Sequence, residues 1–117
     1  MYGYAYHKKE TVTVASAASY STAIDIQEFN KVSVEVPELG TLMGANTSKL
    51  FVNVAQSSTD TFRRLKHQAV SGVSDWEVPA TSGNYNVICP VEGYNYMQVV
   101  FGTAATDGVT VYVHKMK

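Results

Sequence analysis

Hydrophobic and polar residues alternate along most of this chain. A period of two is typical of a β-strand that buries one face of a sheet. Six segments follow it: 11–14 (TVTV), 22–26 (TAIDI), 32–36 (VSVEV), 50–55 (LFVNVA), 84–89 (NYNVIC) and 109–114 (VTVYVH). Residues 97–101 (MQVVF) are apolar on both faces, which predicts a central strand. Shorter segments at 61–67 and 75–78 bring the predicted total to eight or nine strands.

Turn-forming residues separate these strands. Pro37 ends the third of them, residues 80–84 predict a loop, 90–95 a turn and 105–108 (ATDG) the tip of a hairpin. The least regular segment, 37–49, predicts a long loop or a single helical turn. Short strands at this spacing favour a β-sandwich or a small barrel. We predict an all-β, single-domain antiparallel β-sandwich of about eight strands, and local signals leave jelly-roll-like and immunoglobulin-like strand orders open.

The composition agrees with one domain and sets limits on its partners. The chain has 117 residues, and its single cysteine, Cys89, cannot form an internal disulfide. A net charge of −1 provides no general attraction to nucleic acid or to an anionic membrane. No segment has the length of a membrane span or the pattern of a signal peptide, so we expect a soluble protein made inside the cell.

The charged residues are fewer than usual. They make up 16% of the chain, against about 25% in typical soluble domains. This favours a surface that is partly covered in an assembly. A solvated β-protein rich in serine and threonine has the same composition and remains the alternative.

The first twenty residues differ from the rest, which predicts an N-terminal segment (1–20) followed by the sandwich domain (21–117). The segment is either an edge strand or an arm that pairs with a neighbouring subunit, in which tyrosines act as rigid anchors. Its candidate interface residues are Tyr2, Tyr4, Tyr6, His7, Lys8 and Lys9. At the other end of the chain, residues 115–117 form a basic tip, which is predicted to be either a guard of a sheet edge or a solvated end.

The sequence carries no recognisable catalytic or cofactor motif. His7, His67 and His114 are far apart and lack a second ligand at metal spacing, so we predict surface histidines and no metal. Cys89 lies in an apolar strand and is interpreted as a small buried hydrophobe. Asp75 and Glu77 are predicted to share a strand face, an arrangement that is routine on sheet surfaces. We therefore predict no enzyme and no cofactor.

The basic cluster at 63–67 is the only one along the chain. Alternation places Arg63 and Arg64 on opposite faces of a strand, which weakens any stripe for binding phosphates. We predict a salt bridge or a subunit interface at these two arginines. A second class of function remains open, because four aromatic residues provide a candidate platform for stacking on sugars: Trp76, Tyr85, Tyr94 and Tyr96.

Three stretches carry a resemblance to a known group of proteins: 21–38 (STAIDIQEFNKVSVEVPE), 50–65 (LFVNVAQSSTDTFRRL) and 87–113 (VICPVEGYNYMQVVFGTAATDGVTVYV). With them, residues 24–117 resemble the small β-sandwich virion proteins of tailed bacteriophages, most closely the capsid decoration (cement) proteins. The resemblance implies a non-enzymatic protein, made in the host cytoplasm, that binds the outer capsid surface.

Its implied partners are the major capsid protein and copies of itself, as a homotrimer. A head–tail connector, a tail or fibre component, and a carbohydrate-binding module are the alternatives.

Overall fold

A computed structural model of the chain describes residues 7–14, 20–36, 49–79, 85–101 and 109–117. Every regular element within these ranges is a β-strand, which confirms the all-β prediction. The strands are β1 (His7–Val14), β2 (Ile24–Asp25), β3 (Lys31–Val36), β4 (Lys49–Ala55), β5 (Arg63–Arg64), β6 (Lys66–Ala69), β7 (Gly72–Asp75), β8 (Glu77–Pro79), β9 (Tyr85–Cys89), β10 (Tyr96–Phe101) and β11 (Val109–Met116). The loops predicted at 80–84 and 105–108, and most of the one at 37–49, lie outside the described residues.

Eight strand pairings define two antiparallel sheets and a separate hairpin. Sheet A has the order β1-β11-β3-β9. Sheet B has the order β2-β10-β4, and both β5 and β8 pair with the remaining edge of β4. Strands β6 and β7 pair with each other. The predicted antiparallel sandwich is therefore confirmed.

The order of the strands is that of a jelly roll. The pairs are nested along the chain: β4 with β5 and β8, β3 with β9, β2 with β10, and β1 with β11. This nesting arises when one long antiparallel hairpin is rolled up, so that successive strand pairs lie in alternate sheets. Such an arrangement is the jelly roll. Of the two strand orders left open by the sequence, the jelly roll is the one that forms.

The number of strands differs from the predicted number because one strand is interrupted. Both β5 and β8 run antiparallel to β4, and they occupy consecutive parts of its edge. Hairpin β6-β7 is inserted between them, and the backbone N–H of Trp76 donates to the carbonyl of Leu65 (3.0 Å) where the insertion closes. Nine of the eleven described strands thus fill the eight positions of a jelly roll, with β5 and β8 sharing one position, and β6 and β7 form the inserted hairpin.

The core lies between the two sheets and follows the predicted alternation. In β11, Val111 and Val113 are buried whereas Tyr112 and His114 face outward. Strand β10 lies between β2 and β4, with Val99 buried on its inner face and Val100 buried on the opposite face, which confirms it as a central strand. The largest fully buried side chains are Phe101, Ile24, Leu50 and Met97.

The prediction of a solvated basic tip is wrong for Lys115, which is buried. Its side chain is 2% exposed, because the alternation that buries Val113 also turns residue 115 inward. The ammonium Nζ donates to Glu10 Oε1 (2.6 Å) and to the carbonyl oxygen of Asp25 (3.1 Å). Since Glu10 lies in β1 and Asp25 in β2, Lys115 joins sheet A to sheet B.

Candidate interaction surfaces

The described candidate residues of the N-terminal segment lie on β1, the edge strand of sheet A, so the sandwich includes residues 7–14. His7 and Lys9 face outward, and the Lys9 ammonium lies 4.2 Å from the centre of the Tyr112 ring. Lys8 has the opposite orientation and lines a cavity of about 320 Å³ beside Lys115. The remaining candidates, Tyr2, Tyr4 and Tyr6, are outside the described residues.

The two candidate arginines also face in different directions. Arg64 lies on the outer face of sheet B, where Nε donates to Asn53 Oδ1 (3.1 Å) and Nη1 to Asp75 Oδ2 (3.3 Å). Its guanidinium covers the ring of Phe51, 4.4 Å from the centroid. Arg63 is paired in register with the core residue Val54 and lines a cleft. Arg64 therefore serves an internal network, while Arg63 is presented at the sheet edge.

Within the described part of the chain, no hydrogen bond or ion pair connects the β1 candidates with the arginines. The structure thus divides the predicted interface residues between two surfaces. One is the outer face and rim of sheet A at β1, and the other is the β5 edge of sheet B.

Hairpin β6-β7 is a surface feature that the sequence analysis did not identify. Residues 66–68 and 70–74 are exposed, and among them Val70 at the turn and Val73 on β7 are apolar, the first fully and the second 64% exposed. Gly72 has a φ of +138°, which only glycine adopts without strain. The dipeptide Ser71-Gly72 was the available signal, since Ser-Gly marks a turn between two strands.

Ion pairs to Asp75 connect the base of this hairpin to its neighbours. Asp75 accepts from Lys66 Nζ (2.5 Å) and from Arg64. The hydrogen bond from Lys66, together with the charges of Lys66 and Arg64, lowers the pKa of Asp75. The predicted shared face of Asp75 and Glu77 is confirmed, because Glu77 also lies outward and pairs with Lys49 (3.1 Å). Each acid is matched by a cation, as in ordinary surface salt bridges.

A cleft of about 420 Å³ opens beside the hairpin base. Its lining combines apolar residues with charged ones: Val54, Ala55 and Leu65 with the cations Arg63, Arg64 and Lys66 and the acid Asp60. Tyr94, which is 37% exposed, also lines it. Apolar, charged and aromatic groups in one lining suit a partner group that has both polar and apolar parts.

Trp76 does not provide a stacking platform. Its side chain is partly buried and packs against the core, on the strand face opposite Asp75 and Glu77. Tyr96 is also half-buried, and its hydroxyl accepts from Gln27 Nε2 (3.0 Å). The side chain of Tyr85 is outside the described part. Of the three aromatic candidates whose side chains are described, Tyr94 is the one that lines the cleft.

Two of the three histidines come together on the outer face of sheet A. The β1–β11 register sets His7 Nε2 at 3.3 Å from His114 Nδ1, although 107 positions separate them in the chain. His114 Nε2 is 3.1 Å from Glu35 Oε1 on β3. Sequence spacing could not reveal this cluster, because it arises from the pairing of the first strand with the last. Among the described residues, no group of three or more His, Cys, Asp or Glu is arranged to hold a metal ion.

Cys89 is 3% exposed and faces the core. Desolvation by burial raises its pKa to about 12. The thiol therefore stays protonated at neutral pH and lacks the thiolate that a cysteine nucleophile requires.

Comparison of the chain with protein-family models, curated proteins and solved structures finds no match. No helix in the described ranges is long and apolar enough to cross a membrane.

Proposed function

We propose that this chain is a structural protein of a tailed-bacteriophage virion, a capsid decoration (cement) protein. In this role it binds the outer surface of the assembled capsid, as a trimer, and stabilises contacts between major capsid protein subunits. The resemblance of residues 24–117 to such proteins suggests the class, and the exposed hairpin β6-β7 is the observation that carries it.

The hairpin supports an interaction role because its described residues 66–68 and 70–74 are all exposed. Among the described strands, β6 and β7 pair only with each other. An isolated two-stranded hairpin has marginal stability in water, yet this one displays Val70 and Val73 to solvent. Docking against another protein would bury both valines and give the strand edges a partner.

The low charge of the surface supports the same role. Many copies that each bury a modest area add up to strong reinforcement of a shell through multivalency. Weak individual contacts are sufficient, so a small apolar hairpin tip beside a cationic cleft is an adequate docking element.

Co-sedimentation with purified capsids of the phage that encodes this chain tests the proposal. We expect the wild-type protein to sediment with capsids and to behave as a trimer in size-exclusion chromatography with light scattering. Val73→Asp is expected to weaken capsid binding, because it places a charge at the apolar tip. Ile88→Asp is the matched control, since Ile88 is 67% exposed on β9 of the other sheet.

A monomer that does not bind these capsids would overturn the decoration role. If Ile88→Asp weakens binding as much as Val73→Asp, the outer face of sheet A, and not the hairpin, is the docking surface. Immunogold labelling of virions separates the capsid surface from a head–tail connector, a tail or a fibre.

A carbohydrate-binding module is the second candidate, and the cleft beside Tyr94 is the observation that favours it. An exposed tyrosine with Asp60, Gln56 and Arg63 in the same lining offers stacking and hydrogen bonds to a sugar. A glycan array tests this, with Tyr94→Ala expected to abolish a signal and Tyr20→Ala, at a 58% exposed tyrosine elsewhere, expected to preserve it. A signal that survives Tyr94→Ala would exclude the cleft.

A further inference from the structure

The geometry points to a Zn²⁺-binding site on the outer face of sheet A, with His7 Nε2 and His114 Nδ1 as the two protein ligands. This site is independent of the capsid role proposed above. It is formed by the closure of the jelly roll, in which the first strand pairs with the last.

The distance between the two nitrogen atoms fits one shared metal ion. Zinc–nitrogen bonds are about 2.0–2.1 Å long, and two nitrogens at a tetrahedral angle are then about 3.3 Å apart. The observed separation between His7 Nε2 and His114 Nδ1 is 3.3 Å. The ring centroids are 5.5 Å apart, and His7 is exposed, so its ring can turn to direct its lone pair at the same point as that of His114.

The second nitrogen of His114 is held as it is in established zinc sites. A metal-bound histidine usually donates its other ring N–H to a carboxylate, which orients the ring and makes the ligand nitrogen more basic. His114 Nε2 lies 3.1 Å from Glu35 Oε1, and the His114 side chain is 19% exposed. Glu35 therefore assigns the proton of His114 to Nε2 and leaves Nδ1 with a lone pair.

The contact between the two rings is compatible with metal entry. Without metal, the network is satisfied when His7 Nε2–H donates to His114 Nδ1 and His114 Nε2–H donates to Glu35. When Zn²⁺ binds, His7 carries its proton on Nδ1 instead and presents the Nε2 lone pair. No net proton is released, and both imidazoles remain neutral, as metal binding requires.

The chain supplies two of the four positions of a tetrahedral site. The pair opens onto a shallow cavity of about 240 Å³ that is also lined by Ser33, Asn86 and Met116. Water completes the coordination in the isolated protein, and the open positions leave the ion accessible to a donor group from outside. Imidazole ligands suit Zn²⁺, whereas a site for Ca²⁺ or Mg²⁺ would need oxygen ligands.

Titration of tag-free protein with Zn²⁺ against a chromophoric chelator, near neutral pH, tests the site. We expect one equivalent to bind to the wild-type protein, and Co²⁺ to give the visible absorption of a tetrahedral site. His7→Ala and His114→Ala are each expected to abolish this binding. Glu35→Gln is expected to weaken it about 10- to 100-fold, since it keeps the shape of the side chain but removes the carboxylate charge.

His67→Ala is the matched control, because His67 is an exposed histidine that bonds Ser74 on the hairpin, away from the pair. The affinity of the His67→Ala variant for Zn²⁺ is expected to equal that of the wild-type protein. Far-UV circular dichroism tests whether each variant is folded. If His114→Ala does not fold, His7→Ala still tests the site, because His7 is exposed at the end of a strand. No binding by the wild type, undiminished binding by His7→Ala, or loss of binding in His67→Ala would each overturn the proposal.

Discussion

At the scale of single residues, the least expected feature is a buried lysine that holds two sheets together. Lys115 satisfies two of its three N–H donors with Glu10 and the carbonyl of Asp25, and its charge lies 5.1 Å from the centre of the Phe29 ring. Removing a charge from water is costly unless partners replace the water. The stability of this end of the sandwich should therefore depend on Glu10.

Glu10→Ala tests this dependence. The substitution leaves the Lys115 ammonium buried without its counter-ion, which is expected to lower the free energy of unfolding by up to about 3 kcal/mol. The double variant Glu10→Leu/Lys115→Met should recover most of that loss, because an apolar pair needs no charge compensation. Chemical denaturation measures both effects, and Glu77→Ala, in an exposed pair with Lys49, should cost no more than about 1 kcal/mol. Equal losses for the two glutamates would contradict the special role of Lys115.

Cys89 provides a prediction about alkaline pH. Burial raises the pKa of Cys89 to about 12 in the folded protein, against 9.0 for a thiol in water. The unfolded chain thus loses the thiol proton first as pH rises, so this group lowers the free energy of unfolding by about 1.4 kcal/mol for each pH unit between these two values. Urea denaturation across this range should show a steeper decline for the wild type than for Cys89→Ala. Parallel declines would mean that the thiol is not desolvated.

At the scale of elements, the interrupted edge strand of sheet B has two parts with different roles. Strands β5 and β8 belong to the sandwich, whereas hairpin β6-β7 is exposed at the surface. Strands β5 and β8 complete the edge of β4, and Leu65 contributes to the core between them. Hairpin β6-β7 projects from the edge strand between β5 and β8, and the Lys66–Asp75 ion pair lies at its base. The hairpin is therefore an insertion into a strand, and the sandwich should fold without it.

Replacing residues 67–74 by an Asn-Gly turn tests this separation. The two residues form a tight hairpin turn between Lys66 and Asp75. We expect the midpoint of thermal unfolding to change little, because none of the described side chains in 67–74 belongs to the core. We expect co-sedimentation with capsids to be lost. Unfolding of the variant would show that the hairpin is part of the sandwich, whereas retained capsid binding would place the docking surface elsewhere.

At the scale of the whole molecule, the nested pairing makes β1 and β11 neighbours. Strand β1 pairs with β11 through all eight of its residues, from His7–Met116 to Val14–Val109. Val12 and Val14 belong to the core, and β1 forms one edge of sheet A. Because so many of the pairs are distant in sequence, we expect folding on the millisecond-to-second scale. The first strand is thus an integral part of the domain.

Truncation separates the role of β1 from that of the residues before it. Deletion of residues 1–14 removes Val12, Val14 and Glu10 and uncovers the edge of β11, so we expect an unfolded or aggregated product. Deletion of residues 1–6 leaves every contact described above in place and is expected to preserve the unfolding transition. If this shorter deletion abolishes trimers or capsid binding in a folded protein, the N-terminal tyrosines act as an assembly arm.

The sequence by itself determined the class of fold and the two faces of its strands. Alternation is a local property of the extended backbone, so it placed Val111 and Val113 inward and sent Arg63 and Arg64 to opposite faces. The same rule, carried two residues further, would have turned Lys115 inward as well. The charge of Lys115 instead led to the prediction of an exposed residue, because a local pattern does not reveal that Glu10 on β1 supplies a counter-ion.

Only the tertiary structure decided which strands are neighbours, and with them every surface proposed to have a function. Pairing depends on loop closure and on packing between segments that are far apart in the chain, and neither is recorded in the period of two. The jelly-roll order, the hairpin inserted between β5 and β8, and the His7–His114 contact all follow from that pairing. His7 and His114 are 107 positions apart in the chain, and they meet because β1 pairs with β11 in sheet A.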